Sequence, residues 1–210
     1  YPKKHSGTYY SQEGKDILLN RIFGKQRNGF CVDVGAHHPR RVSNTYYFYM
    51  KGWRGINVDA MPGSMKVLQK LGPNDINLEV AVSEKAQMLT YYMFNEPALN
   101  SFSKTIMTEH QTEEHRIVDT IAVSSLPLYQ ILNEHLPFEQ KIDFLSFDVE
   151  GFDLEVLESN DWVKNRPRVI LVEIMNSSLN SLINESIYQF LVSKGYSLFA
   201  KLVHTCIFKI

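Results

Sequence analysis

Apolar positions recur along this chain with two different periods, and the two alternate. Short apolar or β-branched runs bounded by Gly, Asp or Pro predict strands over residues 30–34 (FCVDV), 55–59 (GINVD), 76–82, 144–147 and 168–174. Between them, apolar residues three and four apart predict helices over 44–50, 62–70 and 126–134, after Gly151, and over 185–194. A further helical pattern over 11–23 places Ile17, Leu18 and Ile22 on one face, with Ser11 as its N-cap. Strand and helix alternating at this spacing is the signature of βαβ units and a parallel sheet.

The middle of the chain departs from that rhythm. Residues 88–94 and 117–123 are β-like, Asn100 and Ser101 lie in a polar stretch between them, and no helical pattern intervenes. A hairpin-like insertion over about 88–123 is the expectation. At the end, 196–203 and 205–210 form two strands joined at His204, and so short a connection allows only an antiparallel pair. The expected fold is α/β, a mostly parallel sheet with an antiparallel last strand, with residues 1–210 forming a single domain.

Composition narrows the function classes. With 210 residues, 44% of them hydrophobic, the chain can bury one sizeable core. A formal net charge of -1 supplies no global field for nucleic acid or an anionic membrane surface. Cys31 and Cys206 each fall inside a predicted strand, which suits small buried hydrophobes and a reducing, cytoplasmic setting. No apolar run reaches the ~18 residues of a membrane span, and YPKKHSGTYY lacks the apolar core of a signal peptide.

Two predicted strand edges carry acids beside glycine: Asp33-Val34-Gly35-Ala36, and Asp148-Val149-Glu150-Gly151. Open α/β sheets bind ligands at that edge. The first loop is not G-x-G-x-x-G, and His37, His38 and Pro39 stand where a dinucleotide needs close backbone approach to its pyrophosphate, so NAD is disfavoured. Asp59 ends the next strand 24 residues after Gly35, placed for ribose hydroxyls and equally for capping the following helix. Asp33 lies inside its strand, where a buried carboxylate needs hydrogen-bond partners. Tyr47 and Lys51 match a dehydrogenase spacing but sit too early in the chain, and His110 to His115 misses an inverted zinc-protease pattern by one residue.

The two acidic turns together resemble the FkbM-like family of S-adenosylmethionine-dependent methyltransferases, whose members pair V-D-V-G-A with D-V-E-G. Ser11-Gln12-Glu13-Gly14-Lys15-Asp16 is similar to the family's S-Q-x-G-E-D opening, departing at Lys15, where an acid is usual. Ser43-Asn44-Thr45 and Gly52-Trp53-Arg54-Gly55 resemble a subgroup associated with surface-polysaccharide gene clusters. The resemblance implies a class I, Rossmann-like, three-layer α/β/α fold with a seven-stranded sheet. It implies S-adenosylmethionine as cofactor and methyl transfer to a hydroxyl of a sugar or nucleotide-sugar. It assigns cofactor contacts to Gln12, Asp33, Gly35, Ala36, Asn44, Asp59, Ala60, Ser83, Ser101 and Asp148. Asp33 would fix the Gly35 loop and meet the methionine amine.

Transfer from a sulfonium is an in-line displacement, so the protein must hold the acceptor oxygen and take or mask its proton. Asp148, Glu150 and His38 are the catalytic candidates, with Glu150 alternatively accepting amides at the next helix N-terminus. Asp148, Glu173 and His204, with Asn176 beside them, fall at one edge and could hold Mg2+ or Mn2+, as acids at those strand ends do in some related O-methyltransferases. Glu173 satisfied by loop amides is the plainer alternative. Ser146 stands where many relatives carry lysine, which keeps a non-catalytic cofactor-binding module of the same fold open beside an NAD-dependent sugar oxidoreductase. Self-association is left open.

Overall fold

The computed structural model describes residues 8–149, 151–175 and 177–210. In chain order the strands are β1 (Phe30–Val34), β2 (Arg54–Asp59), β3 (Ile76–Glu79), β4 (Ala81–Val82), β5 (Gln87–Phe94), β6 (Ile117–Leu126), β7 (Phe144–Phe147), β8 (Val169–Glu173), β9 (Ser197–Lys201) and β10 (Thr205–Lys209). The helices are α1 (Lys15–Phe23), α2 (Tyr46–Tyr49), α3 (Ser64–Leu71), α4 (Lys104–His110), α5 (Leu128–His135), α6 (Asp153–Glu158) and α7 (Ser186–Ser193).

A seven-stranded sheet runs β3-β2-β1-β7-β8-β10-β9, parallel through β8, with β10 antiparallel to both neighbours. Side-chain alternation splits each central strand between two cores. Val32, Val34, Leu145, Phe147, Ile170 and Val172 pack with Leu128, Leu132, Val156, Leu157 and Leu191 of α5, α6 and α7. Cys31, Phe144, Val169, Leu171 and Ile207 pack on the other face with Leu19 and Phe23 of α1 and with Phe48 and Trp53. This is the three-layer Rossmann-like arrangement, and both cysteines are buried and free. None of the helices among the described residues is long and apolar enough to cross a membrane.

Three expectations are corrected. The run 76–82 is two strands: β3 pairs with β2, then the chain leaves the main sheet and Ala81 and Val82 pair with β6. Period-two patterning says which face a residue takes, not which sheet it joins. The insertion is a β4-β6-β5 sheet whose long connection holds a helix, α4, where none was expected. Ser103 caps α4 by accepting the Ile106 N–H at 3.4 Å. At the N-terminus, Glu13 (φ 56) and Gly14 (φ 70) break the expected helix, so α1 starts at Lys15. Ser11 instead accepts the Asp16 N–H at 3.0 Å and donates to Asp16 Oδ1 at 2.9 Å.

Candidate active site

The columns of apolar side chains facing α1 turn polar at the C-terminal edge of the sheet. Cys31 gives way to Asp33, Phe144 to Ser146, Leu171 to Glu173 and Ile207 to Thr205. Asp33 is in register with Ser146 on one side and Asn57 on the other, and Thr205 with Glu173. Lys15, at the start of α1, covers this row: its side chain is 2% exposed, and its Nζ lies 3.2 Å from Glu173 Oε1. Asn44 Nδ2 donates to Ser146 Oγ at 2.9 Å. Burial pushes the Asp33 carboxyl up to about 6, against the opposing pull of the Ser146 hydroxyl, the Lys15 charge and Asn44. Asp33 Oδ1 and Asn44 Oδ1, both beside Ser146, are buried with no hydrogen-bond partner among the described residues. Each such group costs ~1–3 kcal/mol if nothing donates to it.

Above this row lies a cavity of about 350 Å3. Asp33, Gly35, Ala36, Asn44, Asp59 and Ala60 line it from the β1–β2 side and Gln12 from the N-terminal turn. Asp148, Glu173 and His204 line it from the other strand ends. Tyr91, Leu99, Phe102 and His110 of the insertion also line it, with His37 and Arg41 at the β1 loop. Arg41 reaches Glu96 of the insertion at 3.3 Å.

The Gly35 turn is held tightly. Its N–H donates to Val58 O at 2.9 Å, its φ is +86°, and a Cβ there would lie 1.9 Å from the Asp148 carbonyl oxygen. Only glycine fits. Asp59 takes the amide of His37 on Oδ2 and that of Met61 on Oδ1, each at 2.7 Å. Burial pushes its pKa up, and those amides pull it back down. A carboxylate has about four acceptor sites, so these two amides leave acceptor capacity on a residue that lines the cavity.

Other predicted site residues fall elsewhere. Ser83 is buried outside the cavity, its hydroxyl donating to Lys85 O at 2.9 Å and pairing with Ser125 Oγ at 2.7 Å. Ser101 is also buried outside the lining, its Oγ accepting the Ser103 N–H at 3.0 Å. Both polar side chains are used to hold the insertion together. His38 is not in the lining either: its Nδ1 accepts the amides of Arg40 and Arg41, both at 3.0 Å, which makes it a turn cap. Desolvation, and then the neighbouring His37, Arg41 and Arg40, lower its pKa. Glu150 and Asn176 lie outside the described residues.

The residues at the edge do not fit a divalent cation. Glu173 Oε1 is already paired with the buried Lys15 ammonium, which would repel a metal ion beside it. Among the described residues there is no group of three or more His, Cys, Asp or Glu arranged to hold one. Glu13, whose carboxylate accepts the His204 and Thr205 amides at 2.8 and 3.2 Å, ties the N-terminal turn to β10.

Lys15, Ser146 and His110 stood out in the sequence for other reasons and were not assigned to the site. Strand parity puts Ser146 on the same face as Phe144, and the register of β7 with β1 sets it beside Asp33. The family profile for the methyltransferase FkbM domain matches residues 33–198, most of the chain. The chain belongs to the FkbM methyltransferase family. The oxidoreductase alternative gains no support from that membership. Among curated proteins none matches this FkbM chain. A solved structure of a candidate RNA methyltransferase from Pyrococcus horikoshii aligns over 100% of this chain and 90% of its own, at 11% identity and a TM-score of 0.48. Nothing about the chemistry of this FkbM domain follows from that likeness.

Proposed function

We propose that this FkbM domain transfers a methyl group from S-adenosylmethionine to a hydroxyl of a sugar or nucleotide-sugar. The observation that carries the cofactor reading is the pair of buried, unpartnered acceptors, Asp33 Oδ1 and Asn44 Oδ1, on two residues that line the cavity. An ammonium group carries three donors and no acceptor, so a ligand with an α-amine satisfies both. A dinucleotide has no such group, and the Gly35 turn followed by His37 and Pro39 gives its pyrophosphate no glycine-rich cradle. Asp59 keeps acceptor capacity for ribose hydroxyls. Ala60, Met61, Ala81 and Val82, beside it through the Val80 N–H to Asp59 O bond of 3.0 Å, offer apolar walls for a purine. When bound, the cofactor supplies an electrophilic methyl group.

The acceptor class rests on the subgroup resemblance and on the character of the rest of the cavity. Tyr91 and Phe102 stand there with hydrogen-bonding groups from Arg41, His110, Asp148 and His204, a mixture suited to a polyhydroxyl ligand. Trp53, part of the subgroup motif, is core and does not touch the cavity.

Calorimetry with S-adenosylhomocysteine, using NADH as control, tests the cofactor. We expect S-adenosylhomocysteine to bind, and Asp33→Asn and Asp59→Ala to weaken it roughly tenfold or more, the worth of one charged hydrogen bond. Because Asp33 must be ionised to hold an ammonium, affinity should rise as pH passes upward through about 6, and Asp33→Asn should flatten that rise. Binding of NADH alone overturns the reading. Binding of S-adenosylhomocysteine with no hydroxyl ever methylated leaves the non-catalytic module.

A further inference from the structure

We infer that His110 is the general base that takes the proton of the acceptor hydroxyl, an inference that rests on the methyl-transfer reading above. Proton removal needs a group that faces the cavity, is held by a third group, and is free to accept. Glu173 is paired with Lys15, and His38 lies outside the cavity with Nδ1 taken by two amides. Asp33 and Asp59 belong to the cofactor side. Three imidazoles line the cavity among the described residues: His37, His110 and His204. Of these, His110 has a ring nitrogen held in place, its Nδ1 lying 3.2 Å from the Leu99 carbonyl oxygen. A carbonyl oxygen only accepts, so Nδ1 carries the hydrogen and, in the neutral ring, Nε2 is left as a bare acceptor. The ring also packs edge-on against Phe94, with centroids 6.1 Å apart.

The helix carrying His110 is set on the acidic turn. A Cβ at Gly151 would meet Ile106 Cγ1 at 2.9 Å and Ser103 Cβ at 3.7 Å, so that face of α4 rests on the turn following Asp148. His110 lies four residues beyond Ile106 on the same face, ~6 Å along the helix axis. The insertion thus brings an oriented imidazole over the strand edge that carries Asp148. In the step, the acceptor O–H proton passes to Nε2 as the acceptor O–CH3 bond forms. The donor S–CH3 bond breaks, its electron pair stays on sulfur, and the imidazolium afterwards gives its proton to water.

The test combines the tautomer with turnover. Long-range 1H–15N correlation on labelled, ligand-free protein in mildly alkaline buffer, assigned by loss of the peaks in His110→Gln, should show Nδ1 protonated and Nε2 bare. Labelled-methyl transfer to a panel of methyl hexosides and UDP-hexoses should fall ~10²–10⁴-fold in kcat in His110→Gln. Affinity for S-adenosylhomocysteine should be unchanged, which also reports an intact fold, and imidazole should restore part of the activity of His110→Ala. A protonated Nε2, or a turnover rate untouched by His110→Gln, overturns the inference while the methyl-transfer reading stands. A wild-type protein that binds S-adenosylhomocysteine and methylates none of the panel overturns both.

Discussion

At Gly35 two constraints coincide: a left-handed backbone, and an Asp148 carbonyl so near that even a methyl group has no place. Gly35→Ala should cost about 2–4 kcal/mol, from φ strain plus displacement of the β7 end. A urea midpoint within error of wild type would contradict the close approach. Asp33, one residue short of a strand end that runs into Gly35, and Asp59, ending the next strand, were legible in the sequence because an acid at or near a strand's C-terminal end is a local pattern. Lys15 was visible only as a departure from the family motif. Its meaning, a buried counter-ion reaching Glu173 on β8, depends on a contact between residues 158 positions apart. Asn44 became informative once its Oδ1 was found buried beside Ser146 without a donor.

Among the elements, the insertion is where sequence reading failed. Helix α4 has no buried residue, so its seven positions carry little apolar periodicity, and its polar surface reads as loop. What holds it is tertiary: Ser103 and Ile106 against Gly151, and the Phe102 ring against Tyr91 at 4.7 Å and Phe152 at 5.8 Å. Phe102→Ala removes both ring contacts, each worth ~0.5–1.5 kcal/mol beyond its area. Amide exchange over 97–110 should accelerate while exchange in β1, β7 and β8 stays unchanged. If the acceleration spreads to the central strands, the insertion is part of the cooperative core and not a separately mobile cover. The central strands themselves were legible almost to the residue, because β1 and β7 are buried along their whole length and bounded by glycine or charge.

On the scale of the whole molecule, the fold carries acids that it holds less comfortably than the unfolded chain does. Burial pushes Asp33 and Asp75 to about 6; burial, and then the Glu173 charge, push Asp153 to about 7, all from 3.8. A raised carboxyl pKa means the folded state keeps protons that the unfolded state has released. Its stabilising contribution is complete below the unfolded value and is lost as pH rises through the folded one. The ligand-free protein should therefore lose stability as pH climbs from about 4 to about 7. Asp153→Asn should remove the upper part of that loss, being near neutral at acidic pH and stabilising above about pH 7. Urea unfolding of both proteins across that range checks it, and parallel curves would show that Asp153 does not set the slope.

By itself the sequence determined the alternation of strand and helix, the antiparallel end and the two acidic turns, since periodicity, turn chemistry and a connection of a few residues ending at His204 are local facts. Only the tertiary structure decided what those turns face. Register sets Asp33 beside Ser146, α1 delivers Lys15 to Glu173 at the edge where a cation was expected, and the insertion folds back to bring His110 to the cavity above it. Ser83, Ser101 and His38 fell away for the same reason. Ser83 and Ser101 were implied by the resemblance and His38 by its side chain's proton chemistry, whereas the use of a polar group depends on which groups the folded chain places within about 3 Å of it.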